Sequence, residues 1–430
     1  MNLAVTGISY LSTGAVVVLL VLLALRYFVE PFRPDAAPVP FGRDPLKTRK
    51  KMPADLKRVL AWVFGLFFLS RAVIWLTGFF GYAAKGSLQE YLSDPLNPWL
   101  RWDANHYVGL ARNWYVNEGD ARLHIVFFPL YPLVVRALDP LTGMRTEWTC
   151  LVVSNACALA AGYVLYRMTE AEAGRTAARR AVRFLFFTPT SLFFSIPYSE
   201  SLFLLLTLLS VWMARRRCFA RAVLFGALAA GSRMLGLLTA IPVFYEGILD
   251  ARERAGGDRG ELLRVAGRRF GQSCVISAGF LAYLALNAQV TGSAFTFLRY
   301  QKEHWSQSFG SLFNTLRYTL VNAHSYGDAA LQWGTWIPQA VSIVIVLVLL
   351  ALTWRALSPG DGAYALVYLY IASAPTWLLS GTRYLGAMYA LYPMLTLVTR
   401  RRAADRVLMG LSALLMVYIT WHYAVTGTVL

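Results

Sequence analysis

The sequence predicts an all-α polytopic membrane protein, and three observations carry that class. Of its 430 residues, 57% are hydrophobic and only 15% charged, with a mean hydropathy of +0.48. Apolar stretches near the ~20 residues that a bilayer-spanning helix needs recur along the chain. Short basic clusters separate them: 29 of the 41 Lys and Arg fall in segments 26–58, 167–183, 215–221, 252–269, 355 and 400–406. The net charge of +18 therefore sits in loops between apolar segments, a pattern that excludes a soluble enzyme, a disordered chain and a nucleic-acid module. The four cysteines show no CxxC spacing, so neither a disulfide framework nor a zinc site is expected.

By the positive-inside rule all six basic clusters are cytoplasmic. Residues 1–29 form an N-terminal transmembrane helix, apolar from Tyr10 to Phe28; it lacks a basic n-region and an A-x-A site and reads as a retained helix. Residues 30–58 are a basic, Pro-rich cytoplasmic linker, and residues 59–430 the main membrane domain. Within it, 59–81 runs outward, a long outer loop covers about 82–146, and 148–166 returns. The apolar stretches 184–214, 222–249 and 364–399 each carry basic residues at both ends and run to about thirty residues. That is too long for one crossing and short for two, so each should be a hairpin of shortened helices. Their apices fall at 197–200, 232–233 and 380–383, where irregular backbone is tolerated only against protein or water. Segment 279–289 runs outward, an outer loop follows near 291–333, 337–352 returns, and 407–426 ends outside. The total is about twelve transmembrane or partly spanning helices, with no internal repeat of the kind that builds many transporters.

The polar residues that this topology sends outward are the candidates for chemistry. In NPWLRWDANHYVGLARNWY, Asp103 and His106 are i, i+3 neighbours on a short helix, with Trp102 and Tyr107 beside them. A carboxylate there suits a general base aimed at a hydroxyl. The alternative is an interfacial helix whose Asp caps it and whose aromatics mark the headgroup level. VFFPLYPLVVRAL reads as a Pro-broken apolar segment re-entering the membrane surface. Glu200, at a hairpin apex between Ser199 and Ser201, should be paired or functional, since a lone carboxylate at membrane depth is expensive. Arg233 and Arg383 sit at the other two apices; two forked guanidinium groups could clamp a phosphate, or pair internally with Glu200 or Asp103. Arg71, within LFFLSRAVIWL, is similarly placed, and Gln301, His304 and Trp305 in FLRYQKEHW could line a sugar pocket.

These segments, WDANHY, FFPLYP, TPTSLFFSIPYSESLF, GSR, FLRYQKEHW and GTRY, stand in that order between Trp102 and Tyr384. Together they resemble the PIG-V family of the GPI mannosyltransferase 2 type and its bacterial relatives, with Thr188 in place of the usual Ser before Pro. The Ala-, Arg- and Leu-rich composition suggests a bacterial chain. The resemblance implies a GT-C-like fold and a mannosyl transfer, inverting, from a polyprenyl-phosphate (dolichyl-phosphate-like) mannose donor to an extracytoplasmic glycolipid or glycan acceptor. It implies Asp103 as the base, with Trp102, His106, Tyr107, Glu200, Gln301, His304 and Trp305 binding substrate. Arg233, Arg383, Arg71 and Tyr384 would hold the donor phosphate. The enzyme would sit in the cytoplasmic membrane with its site on the extracytoplasmic side and need no cofactor; no metal is expected, because no DxD or His/carboxylate ligand set is visible. Two other readings remain open at this point: another polyprenyl-phosphate sugar, or a non-catalytic lipid-carrier transporter or flippase.

Overall fold

A computed structural model describes residues 2–32 and 56–429. The basic linker expected at 30–58 therefore lies mostly outside the described residues. Their regular secondary structure is helical, with no strand among them and one isolated bridge between Phe309 and Pro375.

The helices that position the site are α1 (Asn2–Val29), α2 (Leu56–Ala84), α3 (Asp103–Asn113), α4 (Leu130–Thr142), α5 (Thr146–Phe187), α6 (Glu200–Arg215) and α7 (Phe219–Ser232). There follow α8 (Ala240–Ala255), α9 (Arg259–Cys274), α10 (Ala278–Thr291), α11 (Thr296–Trp305), α12 (Leu312–Ser325) and α13 (Ile337–Thr353). The chain ends with α14 (Pro359–Ala372), α15 (Gly381–Gly386), α16 (Leu391–Val398) and α17 (Arg402–Trp421). Seven helical segments among the described residues are long and apolar enough to cross a membrane. The Pro-broken segment is bent by 114° between Asp120–Val126 and Leu130–Thr142, because Pro129 cannot continue the first helix and is placed to start the second. Outward faces carry exposed Leu11, Val17, Phe68, Leu281 and Leu414, the surface that lipid requires.

Helix α5 doubles back at a glycine. Gly174 adopts φ 81° within α5, a conformation that side chains resist. Twelve residues to either side, Gly162 lies directly against the Phe186 ring. A straight helix would hold these two positions about 36 Å apart; the contact shows that the chain doubles back. The expected apices are breaks in the helices: between Phe187 and Glu200, at Arg233, and between Ala372 and Gly381. Behind Arg233, α7 crosses α10 at a spot where a Cβ on Gly279 would fall 1.8 Å from the Ala227 carbonyl oxygen, so the backbones meet as small residues allow.

Side chains tie the basic clusters together at one end of the bundle. Arg26 bonds the Trp354 carbonyl and Arg252 the Pro31 carbonyl. Arg183 pairs with Asp405 at 2.6 Å. Arg215 pairs with Glu172 and, at 2.5 Å, with Asp361, and Arg217 with Glu253 at 2.5 Å. The three apices lie at the opposite end. Helices α6 and α7, of 16 and 14 residues, span only about 24 and 21 Å, less than the ~30 Å hydrocarbon core. The apices are therefore recessed from the far surface.

Candidate active site

Asp103 and Glu200 are each the first residue of a helix, α3 and α6, where the free amide ends and the helix dipole favour negative charge. The apices bring two arginines to them. Arg383 Nη2 lies 2.7 Å from Asp103 Oδ2, and its Nε 3.0 Å from Glu200 Oε1. Arg233 Nη1 donates to the same Glu200 oxygen at 2.6 Å and to Ser199 Oγ at 3.2 Å. Tyr107 closes the chain through a 2.8 Å bond between its hydroxyl and Ser199 Oγ. Two carboxylates and two guanidinium groups thus balance in a continuous network, which a low-dielectric position demands.

Exposure divides the network. The side chain of Asp103 is 26% exposed, while Arg233 is 12%, Arg383 3% and Glu200 1%. Asp103 faces a cavity of about 790 Å³ between the outer loop, the Arg233 apex, α11 and the Arg383 apex. Of the residues expected to act, Trp102, Asp103, His106, Tyr107, Arg233, Gln301, Trp305, Arg383 and Tyr384 line it. The phenyl and indole groups of Phe128, Phe297, Trp336 and Trp377 supply much of the rest.

Three expected residues lie elsewhere. Arg71, expected at the donor phosphate, is buried away from the cavity and donates to Asn155 Oδ1 at 2.7 Å and the Phe194 carbonyl at 3.2 Å. Its guanidinium packs 4.6 Å from the Phe67 ring centroid, so it braces α5 and the break between Phe187 and Glu200 against α2. His304 is exposed and off the lining, packed on Tyr300 and Trp305. Glu200 lies beneath the cavity wall; Oε1 takes both arginines, and Oε2 has no hydrogen-bond partner among the described residues.

Burial pushes the His106 imidazole below its ordinary range, an effect that Asp103 only partly offsets. Burial likewise pushes the Tyr107 phenol up. Both are therefore neutral hydrogen-bonding walls at neutral pH.

The turn before Asp103 is strained and clamped. Trp102 has φ 52°, the left-handed region, which costs a non-glycine residue about 1–3 kcal/mol. Its indole donates to the Gly427 carbonyl at 3.0 Å, and Arg101 donates to the Ala424 carbonyl at 3.0 Å. The Arg101 carbonyl in turn accepts from the hydroxyls of Tyr423 at 3.1 Å and Tyr198 at 3.3 Å. At the last apex Gln339 accepts from the Gly381 amide at 3.0 Å and donates to the Leu378 carbonyl at 2.7 Å, fixing the loop that carries Arg383. Sequence reasoning assigned no role to Tyr198, Ser199, Gln339 or Tyr423. The only signal was that Tyr198 and Ser199 stand within PYSES.

Comparison with known proteins adds a likeness over part of the chain. A family model described as mannosyltransferase (PIG-V) matches residues 66–248. That stretch, less than half of the chain, is similar to the PIG-V family. The GPI alpha-1,6-mannosyltransferase 2 of Rattus norvegicus is 33% identical over 169 residues, 36% of this chain and 33% of the relative. That of Mus musculus is 32% identical over 169 residues with the same coverage, and that of Homo sapiens 27% over 167. The chain spans about a third of the length of these curated relatives. The matched segment contains Asp103, Glu200 and Arg233 and stops short of α11 and Arg383.

Proposed function

We propose that the protein transfers a mannosyl group from a polyprenyl-phosphate mannose to an extracytoplasmic glycolipid or glycan hydroxyl, with inversion at the anomeric carbon. One observation carries the reading: Asp103 is the network's cavity-facing carboxylate, and it stands 2.7 Å from a guanidinium at the wall of a mostly apolar 790 Å³ chamber. The acceptor oxygen attacks the anomeric carbon opposite the phosphate and gives its proton to Asp103. The bond from that carbon to the phosphate oxygen breaks, and the polyprenyl phosphate leaves as an anion. A carboxylate is a weak base, so the proton moves late, when the attacking oxygen is already acidic. Negative charge builds on the leaving phosphate as the carboxylate loses its own. Arg383 answers both changes by turning Nη2 from Asp103 toward the phosphate, with Arg233 beside it in the cavity wall, while Glu200 stays paired beneath them; the bonds to the phosphate strengthen in the transition state. The reading places the cavity on the extracytoplasmic side of the cell membrane and assigns charge neutralisation to the arginines, with no cofactor.

The test is release of labelled mannose from polyprenyl-phosphate mannose by the purified protein in bilayers, run beside polyprenyl-phosphate glucose and a nucleotide-linked mannose. Turnover of the first donor is expected, with little from the others. Turnover of the nucleotide sugar, or of no donor by protein that is demonstrably folded, refutes it.

A further inference from the structure

At the end of the bundle where the basic clusters gather, a second cleft of about 420 Å³ opens between the α6–α7 turn and α9. Arg217, Arg221, Arg268 and Arg269 line it, with Phe219 and Gln272. Two of these arginines are spoken for. Arg217 bonds Glu246 at 3.0 Å and Glu253 at 2.5 Å, and Arg269 bonds Asp250 at 2.7 Å while its guanidinium lies 3.9 Å from the Phe219 ring centroid. The other two, Arg221 and Arg268, are exposed and have no carboxylate partner among the described residues. Helix α7 starts here without a side-chain cap, so its first amides add to the positive field.

We propose that this cleft binds the headgroup of an anionic phospholipid. Its uncompensated guanidinium pair matches a phosphate, which presents oxygens to forked donors. Phosphate chemistry alone would also fit a free ion. The surroundings decide for a lipid: Leu224, one turn beyond Arg221, is 56% exposed, and Phe270, beside Arg269, is 57% exposed. Those side chains give acyl chains a surface that a dissolved ion does not use. The cleft is joined to the candidate active site by α7, which runs from Phe219 at the cleft to Ser232, next to Arg233. Nothing in the inference depends on which reaction occurs at that far end.

The experiment is a thermal-unfolding titration of the full-length protein in neutral detergent with phosphatidylglycerol, phosphatidylcholine or inorganic phosphate. Phosphatidylglycerol is expected to raise the wild-type midpoint saturably, and the other two to leave it nearly unmoved. The Arg221→Gln/Arg268→Gln variant should need roughly 25-fold more phosphatidylglycerol, about fivefold per arginine near an anionic surface. Arg122→Gln/Arg317→Gln, the same change in charge away from the cleft, should behave as wild type. Equal responses from the cleft variant and wild type overturn the proposal, as does stabilisation by phosphatidylcholine. Stabilisation by inorganic phosphate alone overturns the lipid assignment. Should the double variant fold poorly, Arg268→Glu is read by native mass spectrometry, where undiminished retention of phosphatidylglycerol overturns the site.

Discussion

Replacing Asp103 by Asn tests the proposed chemistry most directly, because the substitution keeps shape and removes both the base and one charge. Loss of a general base lowers turnover ~10²–10⁴-fold. The structural effect is separate and smaller. In the variant Arg383, 3% exposed, keeps Glu200 but shares that single carboxylate with Arg233. Leaving a buried charge short of its partner costs ~3–5 kcal/mol. Asp103 is 26% exposed and the Asn carbonyl still accepts from the guanidinium, which brings the loss to about 1–3 kcal/mol. The assay is mannosyl transfer at saturating donor and acceptor, paired with thermal unfolding of the same preparation. Turnover should fall at least 100-fold while the protein stays folded at the assay temperature. Turnover within a few-fold of wild type refutes the reasoning outright, since Glu200 offers no fallback: it is 1% exposed and held by two arginines.

Other outcomes follow from the same geometry. Arg383→Lys keeps charge but loses the fork that spans Asp103 and Glu200, so kcat should fall more than donor affinity, while Arg383→Ala impairs both; defects confined to acceptor KM would refute the phosphate role. Tyr423→Phe removes one of two hydroxyl donors to the Arg101 carbonyl and should destabilise by about 1 kcal/mol, lowering kcat severalfold with donor KM unchanged. His106 has its folded pKa depressed, so the stability it contributes is full above the ordinary histidine value of about 6.5 and is lost as pH falls through the lower folded value; His106→Gln should flatten thermal stability across that window. Cysteines at Ser93 and Arg175 should label from opposite sides of the membrane, Ser93 from outside, and labelling of both from one side would overturn the topology.

The all-helical membrane class and the hairpin apices were legible in the sequence because they depend on local quantities: runs of apolar residues, basic punctuation, and the expense of Glu200, Arg233 and Arg383 at membrane depth. The segment containing Asp103 was legible for the same reason, as a cluster of compatible side chains within six residues. Pairing was not. That Arg383 joins Asp103 and Glu200 depends on three helix starts and breaks converging from positions 103, 200 and 383, and no local pattern encodes which apex meets which. Arg71 shows the limit most clearly. Its sequence surroundings match those of an outward arginine, yet packing turned it to Asn155 and the Phe194 carbonyl. The clamp on the strained Trp102 turn was equally invisible, since its partners, Tyr423, Ala424 and Gly427, stand more than 300 residues away. Composition sets which segments enter the bilayer and what may rest there unpaired. Only the packed bundle decides which buried charges neutralise one another, because that choice is made by side chains that meet in space and are remote in sequence.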